Sequence, residues 1–481
     1  MTNRFDLVTI GGGTAALVAS LGVAGIGGRA ALIEAARVGG DCLWTGCVPS
    51  KALLAAAATA QTMRTAGRHG LEPVQPRVDM ARVMASVRTA QAFIEPQDSP
   101  RRLRAHGVEV VEGRARFAGP GRIEVGDRVM AYRAALIATG SRPVVPPIDG
   151  LADADPLTSD TIWALDELPG RLAVLGGGPI GCELGQAFAR LGSAVTIVEA
   201  LPTLVPRESV DVGVFLAHCL EGEGVDVRTG VRAHSVTPDG SAWTLHLDDD
   251  TTIGFDRVLV AVGRRPVTAD LGLELVGVET DDRGHVVVDD RMATTGDHIY
   301  AAGDVTGAMP FTHVAAHQAR LVVTNAMLRT RRRADYDHIP WVTFTDPEIA
   351  RVGLDAAAAR QRWGDRAVVQ RYDYAELDRA VTHGANRGWA ELVGDPKRRL
   401  VGATVVGETA GESIAELTAW IVNGARIDAV STTVHAYPTF AEGPSRAADD
   451  VLRARYFDPR LTRVTSKVLA VLRRLDKPRG R

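Results

Sequence analysis

Two glycine-rich stretches of similar sequence constrain the fold of this chain more than any other feature. Residues 5–34 read FDLVTIGGGTAALVASLGVAGIGGRAALIE, and residues 171–199 read RLAVLGGGPIGCELGQAFARLGSAVTIVE. Each predicts a short strand, a glycine turn, an Ala/Leu-rich helix and a second strand that ends in an acid. The first glycine and the acid lie 23 residues apart in both (34 − 11 and 199 − 176). Such an internal repeat indicates duplicated βαβ units with parallel sheets.

A second matching segment follows each unit. ALIATGSRP at residues 135–143 and VLVAVGRRP at residues 258–266 both predict a buried strand that stops on a glycine, with Arg-Pro soon after. Two nucleotide-binding domains, the second inserted into the first, fit this layout. Beyond about residue 339 the segments WVTFTDPEIARVG, LVGATVVGE and ESIAELTAWIVNGA predict strands with a few helices packed on one side, an α+β domain.

The glycine turns predict dinucleotide sites. Gly11 and Gly13 allow a tight turn that approaches a pyrophosphate, and Ala16 takes the third position of the fingerprint. The following helix points its positive N-terminal end at the phosphates, and Glu34 is placed to bind a ribose diol. In the second unit the corresponding cofactor-binding residues are Gly176, Gly178, Gly181, Glu199 and, at the end of the later strand, Gly263. One such motif is weak evidence, but two with matching acids predict two dinucleotides, naturally a nicotinamide and a flavin.

Two of the four cysteines, Cys42 and Cys47, lie in the segment GGDCLWTGCVPSK at residues 39–51. A zinc site would need further ligands at metal spacing, which the sequence does not offer. Two core thiols and a redox disulfide both stay open. A disulfide requires a bend, because five residues of ideal helix rise about 7.5 Å, whereas the bond spans about 4.4–6.8 Å between Cα atoms. Gly46 and Pro49 permit that bend.

Composition matters mainly for what it excludes. The formal net charge of −3 gives no general attraction to nucleic acid or anionic membranes. No stretch reaches the roughly 18 apolar residues of a membrane span, and the four cysteines do not form a secreted disulfide framework. We therefore expect a cytoplasmic protein with no nucleic-acid partner, no membrane partner and no metal site. The basic end of the chain, residues 462–481, is expected to be a frayed, solvated tail, with a partner or lipid contact as the alternative.

The cysteine segment resembles the redox-active segment of the FAD-dependent pyridine nucleotide–disulfide oxidoreductases, the family of dihydrolipoamide dehydrogenase, glutathione reductase and mercuric reductase. The similarity runs from Phe5 to about Glu442, with ATGSRP, AAGDV and FTDPEIARVG in family order. It implies an α/β fold with two Rossmann-like domains, for FAD and NAD, and a C-terminal α+β dimerisation domain. We predict the FAD-binding parts at 1–150 and 273–336, the NAD(P)-binding domain at 151–272, the dimerisation domain at 337–461 and the basic tail at 462–481.

The resemblance also implies roles for single residues. Cys47 matches the sulfur beside the flavin, a charge-transfer thiolate, and Cys42 the thiol that meets the substrate. Lys51 matches the lysine near the flavin, and Glu183 the acid that pairs with it. Other positions match residues that contact FAD in the family: Ala115, Thr139, Gly140, Ser141, Asp304, Pro310, Phe311, Thr312 and His313.

One family motif is altered here. Thiol-handling members carry HxHPTxxE, in which the glutamate orients the second histidine, the acid–base that acts on the disulfide of the other subunit. This chain reads HAYPTFAEG, so His435 and Glu442 match but Tyr437 stands at the base position. A phenol with an ordinary pKa of about 10 is a poor base near neutral pH, which argues against ordinary dihydrolipoamide or glutathione chemistry. His435 is the alternative base.

We predict an NAD(P)H-dependent flavoprotein disulfide reductase, built like dihydrolipoamide dehydrogenase, that works as a homodimer with shared active sites. Electrons would pass from the nicotinamide to FAD, to the Cys42–Cys47 disulfide and then to a small-molecule disulfide or thiol substrate. Two alternatives stay open. The first is a mercuric reductase-like enzyme for metal ions or other electrophiles, although no cysteine follows Cys219 to deliver a metal. The second is a non-catalytic flavin redox sensor, which would need no nicotinamide site.

The second acidic residue predicts the nicotinamide. Glu199 would bind the ribose hydroxyls of NAD and repel the 2′-phosphate of NADP. Ala200 and Leu201 offer no arginine to receive that phosphate, although Arg207 lies a few residues further on. We therefore expect NAD(H) to be preferred over NADP(H).

Overall fold

The first glycine-rich repeat folds into the unit that its sequence predicts. In the computed structural model it forms strand β1 (Arg4–Ile10), helix α1 (Thr14–Gly25) and strand β2 (Ala30–Glu34), with the two strands parallel. Gly11 turns the chain between β1 and α1 at a φ of 109°, and a side chain there would come within 2.3 Å of the Ala138 carbonyl oxygen. Only glycine fits this turn.

The structure describes residues 4–475 and divides into unit 1, which ends at Asp335, and unit 2, which begins at Tyr336. In unit 1 the elements that follow β2 are α2 (Gly40–Trp44), α3 (Cys47–Thr65), α4 (Met80–Asp98), α5 (Pro100–Ala105), β3 (Val108–Glu112), β4 (Ala115–Phe117), β5 (Arg122–Val125), β6 (Arg128–Ile137), β7 (Ser141–Pro143) and β8 (Leu157–Thr158).

The second repeat forms the same unit again, β9 (Arg171–Leu175), α6 (Pro179–Leu191) and β10 (Ala194–Glu199), with parallel strands. The elements that complete unit 1 are α7 (Val210–Gly222), β11 (Asp226–Thr229), β12 (Ala233–Asp239), β13 (Ala242–Leu247), β14 (Thr252–Phe255), β15 (Arg257–Val260), β16 (Arg264–Pro266), β17 (Ile299–Ala301) and α8 (Thr312–Leu328).

The two repeats lie in separate sheets. The first sheet has the order β3-β2-β1-β6-β5-β4, with β17 parallel to β6, and the second has the order β11-β10-β9-β15-β8. Strands β12, β13 and β14 form a small antiparallel sheet, and β7 pairs with β16. Both glycine turns therefore follow a central parallel strand at its carboxyl end, where ligands bind in sheets of this type.

The central strands of the two parallel sheets in unit 1 are buried on both faces. Leu7, Val8, Ala135 and Leu136 are each fully buried, which explains why their strands read as continuous apolar runs. Helix α1 packs against α8 at Gly22, where a side chain would lie 3.1 Å from Val323 Cγ2.

Unit 2 is the predicted α+β domain. Its elements are β18 (Pro340–Thr343), β19 (Glu348–Gly353), α9 (Ala356–Trp363), β20 (Val368–Asp373), α10 (Asp378–His383), β21 (Trp389–Gly394), β22 (Leu400–Gly407), α11 (Ala410–Val422), α12 (Ile427–Thr432), α13 (Glu442–Tyr456) and α14 (Pro459–Leu475). The antiparallel sheet has the order β18-β19-β22-β21-β20. Alternate residues of its strands share one buried core with α11 and α13. The predicted α/β fold class with a separate C-terminal α+β domain is thus confirmed, whereas the domain boundaries inside unit 1 stay a prediction.

The prediction of a frayed C-terminal tail is wrong for residues 462–475, because they continue the helix α14. The Asp458 carboxylate accepts the backbone N–H of Arg460 over 2.8 Å, and Pro459 takes the first helical position, which are both start signals. Residues 476–481 lie outside the described part of the chain. Within residues 4–475, no helix combines the length and the apolar character needed to cross a membrane.

Candidate active site

Cys42 and Cys47 lie on two helices that meet at a bend. Helix α2 ends at Trp44, α3 begins at Cys47, and Gly46 between them has non-helical φ and ψ of −115° and −106°. The Gly46 N–H donates a hydrogen bond of 2.5 Å to the Asp41 carbonyl, which closes the turn. This is the bend that a Cys42–Cys47 disulfide requires. Both cysteines are thiols in this structure.

Cys47 is the more acidic of the two thiols. A hydrogen bond from Cys42 is the main cause that lowers the pKa of Cys47 to about 6; burial opposes it, and Thr312 and Lys51 add to it. Thr312 Oγ1 lies 3.2 Å from Cys47 Sγ. Cys47 is also the first residue of α3, where the helix dipole favours an anion. The same hydrogen bond, together with burial, raises the pKa of Cys42. Near neutral pH the pair is therefore a Cys47 thiolate and a Cys42 thiol.

Lys51 and Glu183 form an ion pair next to the cysteines. Lys51 follows Cys47 by one turn of α3, and its Nζ donates to Glu183 Oε2 over 2.8 Å. The side chains of Lys51 and Glu183 are 38% and 8% exposed, so this pair is screened less than one between surface residues. Because Glu183 lies on α6, the ion pair joins the redox segment, residues 39–51, to the helix of the second repeat.

The N-terminus of α1 forms an open cradle for a phosphate. Among the described residues no side chain caps its first turn, so the first N–H groups can bind an anion. A side chain at Gly13 would meet only the Gly40 Cα, at 3.9 Å, whereas one at Gly40 would come within 2.6 Å of the Gly13 Cα. These glycines let the redox segment pass against the turn and keep the space beyond α1 open.

Glu34 lies at the other side of this cradle, at the end of β2. One oxygen of its carboxylate accepts the N–H of Ala36 over 2.6 Å, which fixes the side chain toward the glycine turn. Ala16, the third fingerprint residue, is fully buried in α1, and Ala115 is buried in β4. The glycine turn, the uncapped helix and the carboxylate together fit the pyrophosphate and ribose of FAD.

A second cradle lies at the N-terminus of α6. No side chain in the described part of the chain caps this helix, and a side chain at Gly178 would meet no atom within 4 Å. Gly176 has a φ of 108°. A side chain at Gly181 would lie 1.8 Å from the Gly176 carbonyl oxygen. Gly263, at a φ of 143°, follows the neighbouring strand β15. This cradle therefore fits a second dinucleotide.

Glu199 ends β10 beside the second cradle. It is 9% exposed, and its two oxygens accept backbone N–H groups, from Gly177 over 2.7 Å and from Leu201 over 2.8 Å. Both hydrogen bonds hold the carboxylate in one orientation next to the glycine turn.

A polar network around Arg264 of β16 joins segments that follow the two glycine-rich repeats. Ser141 Oγ donates to Asp304 Oδ2 over 2.7 Å and accepts from Arg264 Nε over 2.8 Å. The Arg264 guanidinium also donates to Ser159 Oγ over 3.0 Å and to the Asp41 carboxylate, next to Cys42. Burial raises the pKa of Asp41, and the charge of Arg264 opposes that shift.

The remaining residues predicted to contact FAD lie in the same unit. Thr139 Oγ1 donates to the Val267 carbonyl over 2.6 Å, and Gly140 has a φ of 70°. Residues 310–313 lead into α8, and the rings of Phe311 and His313 stack with their centroids 5.4 Å apart. Of this segment, Thr312 is the residue that reaches a cysteine sulfur.

Tyr437 lies in unit 2 and is held by an acid. It is 65% exposed, and its hydroxyl donates to Asp378 Oδ2 over 2.8 Å. This hydrogen bond to the Asp378 carboxylate raises the pKa of Tyr437. The side chain is thus a hydrogen-bond donor, and its phenolate form is disfavoured.

His435 and Glu442, the other residues of this motif, are engaged within unit 2. His435 Nδ1 lies 2.9 Å from the Thr433 carbonyl and Nε2 lies 3.0 Å from Glu416 Oε1. Both ring nitrogens are engaged with acceptors of unit 2, and the side chain is 9% exposed, so neither nitrogen is open to a substrate. The carboxylate of Glu442 is buried and accepts from Arg446 over 3.3 Å and from the Thr439 N–H over 3.2 Å.

Sequence reasoning missed four polar residues at these sites: Asp41, Arg264, Asp378 and Glu416. Asp41 and Arg264 lie in the segments GGDC and GRRP. They are more than 200 residues apart in the sequence, and no sequence pattern indicates that they form an ion pair. Asp378 and Glu416 carry no motif at all, since contacts across a sheet domain depend on tertiary packing.

Two family models match the chain. A model described as pyridine nucleotide-disulphide oxidoreductase matches residues 5–319, and one described as the dimerisation domain of the same family matches residues 339–448. A mercuric reductase of Streptomyces lividans is 36% identical over 454 residues, covering 92% of this chain and 95% of the relative. A dihydrolipoyl dehydrogenase of Thermus scotoductus is also 36% identical, covering 92% of this chain and 97% of the relative.

Solved structures give the same result. The protein LpdA of Mycobacterium tuberculosis superposes with a TM-score of 0.86 at 27% identity, covering 92% of this chain and 99% of that one. A Cu(II) complex of an HOCl-induced flavoprotein disulfide reductase from Escherichia coli superposes with a TM-score of 0.84 at 28% identity, covering 94% of this chain and 100% of that one.

Proposed function

Because the chain belongs to the pyridine nucleotide-disulphide oxidoreductase family, whose members are FAD-dependent enzymes acting on sulfur groups, we propose that it uses NADH to reduce a small-molecule disulfide through Cys42 and Cys47. FAD, when bound, supplies the two-electron chemistry that connects the nicotinamide with the cysteine pair. The resemblance found in the sequence is thereby confirmed at the level of the family. The substrate and the role of each residue are part of the proposal.

The observation that carries this proposal is the unequal acidity of the two cysteines. Cys47, with its pKa lowered to about 6, holds a thiolate at neutral pH, while Cys42, on the preceding helix α2, keeps its proton. The stabilised Cys47 thiolate stays available to resolve a mixed disulfide in thiol–disulfide exchange. Cys42 Sγ would attack one sulfur of the substrate disulfide, and the Cys42 proton would pass to the substrate sulfur that is released. The Cys47 thiolate would then attack Cys42 Sγ, which forms the Cys42–Cys47 disulfide and expels the second substrate sulfur as a thiolate, and the electrons of NADH, supplied through FAD, would reduce the Cys42–Cys47 disulfide again.

The surrounding residues support each half of this exchange. Thr312 and the N-terminus of α3 stabilise the Cys47 thiolate, and the Lys51–Glu183 pair keeps a positive charge one turn away. Gly11, Gly13 and Glu34 would hold FAD, with Asp304 and Ser141 along its chain. Gly176, Gly178 and Glu199 would hold the nicotinamide dinucleotide, which we propose to be NAD(H) because the fixed Glu199 carboxylate would repel a 2′-phosphate.

Tyr437 would act as a hydrogen-bond donor and not as a base. In the homodimer that the dimerisation domain indicates, we propose that Tyr437 of the partner subunit completes the site at Cys42, as the family pattern implies. Its contact with Asp378 raises the pKa of the phenol, so it assists poorly in deprotonating an incoming dithiol. As a protonated phenol it can instead donate a hydrogen bond to the sulfur that is released when the substrate arrives as a disulfide, and we propose the reductive direction for that reason. A dithiol pair that must be regenerated by NADH is also consistent with a reducing, cytoplasmic compartment.

The same feature supports a second candidate, the reduction of a soft metal ion or another electrophile. Such a substrate binds directly to the two cysteine sulfurs, with a metal ion displacing the Cys42 proton, and needs no base to activate a substrate thiol. A relative named mercuric reductase shares 36% of its residues with this chain over most of its length. The site residues would be the same, with Cys42 and Cys47 as the ligands.

A panel of substrates tests the proposal. Anaerobic NADH oxidation by the purified holoenzyme is measured with lipoamide, small disulfides, a quinone, Hg(II) and Cu(II). We expect turnover of a disulfide that is lost in both Cys42→Ser and Cys47→Ser and kept in Cys219→Ser, a control at a buried cysteine of α7. Turnover of only the metals would favour the second candidate. Disulfide turnover that survives both serine variants would overturn the proposal.

A further inference from the structure

Helix α14 carries an apolar face that is open to solvent. Every residue of α14 is exposed, including Val468 at 52% and Leu475 at 73%. Six of the seven Val and Leu side chains of α14 lie on one side of the helix, since their positions repeat at intervals of about three and four residues, and Leu469 lies outside this side. We call this the α14 apolar face: Leu461, Val464, Val468, Val471, Leu472 and Leu475. An apolar surface of this extent marks a place where another surface binds.

The opposite side of α14 is strongly basic. Its charged residues are Arg460, Arg463, Lys467, Arg473 and Arg474, and the helix contains no acidic residue. The sequence continues with one acid, Asp476, and three basic residues, Lys477, Arg479 and Arg481, all outside the described residues. Helix α13 differs, since it mixes acidic and basic residues and buries one face in the core of unit 2. The concentration of charge is local, because the whole chain has a formal net charge of −3.

Charge decides between the surfaces that could cover the α14 apolar face. A second copy of the helix would bring the same basic residues against it and no acid to pair with them, so like charges would repel. A helix that is apolar on one side and rich in Lys and Arg on the other is suited to the boundary of an anionic bilayer. Tyr456 and Phe457, both exposed where α13 meets α14, are residues favoured at that boundary.

We propose that α14 binds the surface of an anionic lipid bilayer, with the α14 apolar face in the acyl region and the basic side toward the headgroups. The enzyme would then be a peripheral membrane protein, held at the cytoplasmic leaflet, where anionic lipids concentrate. This departs from the expectation of no membrane partner, which rested on the charge of the whole chain. It concerns where the reaction takes place and holds whichever substrate the cysteine pair reduces.

Vesicle sedimentation with the full-length FAD-loaded protein tests the proposal. We expect binding to vesicles of phosphatidylcholine and phosphatidylglycerol, about tenfold weaker binding to phosphatidylcholine alone, and release from anionic vesicles as salt is raised. Equal affinity for both vesicles, or no binding to either, would overturn it. Flavin absorbance and NADH oxidation confirm that each preparation is folded.

Two substitutions with the same added charge separate the faces of α14. Val468→Asp places a carboxylate in the α14 apolar face, and Ala470→Asp places one on the basic side. We expect about a tenfold or greater loss of vesicle binding in Val468→Asp and a smaller loss in Ala470→Asp, since only the first must enter the acyl region. Equal losses would mean that the apolar face stays out of the bilayer. Assemblies larger than a dimer that form without lipid and disappear in Val468→Asp would assign the face to a second copy or to another protein, against the proposal.

Discussion

Thr312→Val should raise the pKa of Cys47 by about 0.7. The substitution keeps the shape of the side chain and removes the hydroxyl that lies 3.2 Å from the Cys47 sulfur. A hydrogen bond to a charged group contributes about 1.5–3 kcal/mol when shielded. Because the Cys47 side chain is exposed, about 1 kcal/mol is appropriate, and about 1.36 kcal/mol corresponds to one pKa unit.

The sign follows from the acid equilibrium of the thiol. The folded-state pKa of Cys47 is lowered to about 6, so the thiolate is present above that pH and is lost as the pH falls through it. In Thr312→Val the loss begins at higher pH. At about pH 6 the thiolate fraction should drop from about one half to about one sixth.

The thiolate can be followed through its long-wavelength absorbance with bound FAD. The reduced enzyme is titrated anaerobically from neutral to acid pH, with Thr45→Val as the control. Thr45 lies in the same redox segment, but its hydroxyl is 3.5 Å from the Asp41 carboxylate and does not bond to a sulfur. An unchanged midpoint in Thr312→Val, a downward shift, or an equal shift in the control would refute the assignment of Thr312 as a donor to the thiolate.

Four further substitutions test other residues of the proposed site. Glu199→Gln removes a fixed negative charge, so kcat/KM for NADPH should rise about tenfold or more while that for NADH changes less; initial rates with both nucleotides decide, and an unchanged ratio would contradict the role of Glu199. Tyr437→Phe should lower disulfide turnover and leave flavin reduction by NADH intact, which stopped-flow absorbance measures. Asp378→Asn should lower the pKa of Tyr437, because the carboxylate that raises it is removed, and a pH profile of turnover measures this change. Glu183→Gln leaves Lys51 without its charged partner, so flavin reduction by NADH should slow in rapid mixing, whereas a rate equal to the parent's would show that the ion pair is only structural.

Local sequence patterns were sufficient to predict most of the fold. The two glycine turns were predictable because Gly11 and Gly176 need a backbone that L side chains rarely adopt, and a matching acid follows each at a fixed spacing. The central parallel strands of unit 1 were predictable because they are buried on both faces and read as continuous apolar runs. The bend at Gly46 followed from the length of helix that a disulfide cannot span.

Residues that act through distant contacts were not predictable. Tyr437 was recognised as a departure from the family motif, but its partner Asp378 lies 59 residues away and carries no signal of its own. His435 was kept as a second base, and only tertiary packing places Glu416 and the Thr433 carbonyl against its two nitrogens. Residues 462–475 were predicted to be a frayed tail because the end of the chain is rich in Arg and Lys. The spacing of the valines and leucines of α14, at three and four residues, is instead that of an amphipathic helix.

The contacts of Arg264 bear on how this enzyme can be re-engineered. Arg264 follows the second glycine-rich repeat in the sequence, and its guanidinium donates hydrogen bonds to Ser141 and Asp41, which both follow the first repeat. A chimera that imports the part of a relative that follows the second repeat, in order to change the coenzyme, would also replace the segment that carries Arg264. If the imported segment has no arginine at this position, the half-exposed Asp41 carboxylate beside Cys42 loses the cation it pairs with, and the surroundings of the cysteines change along with the coenzyme.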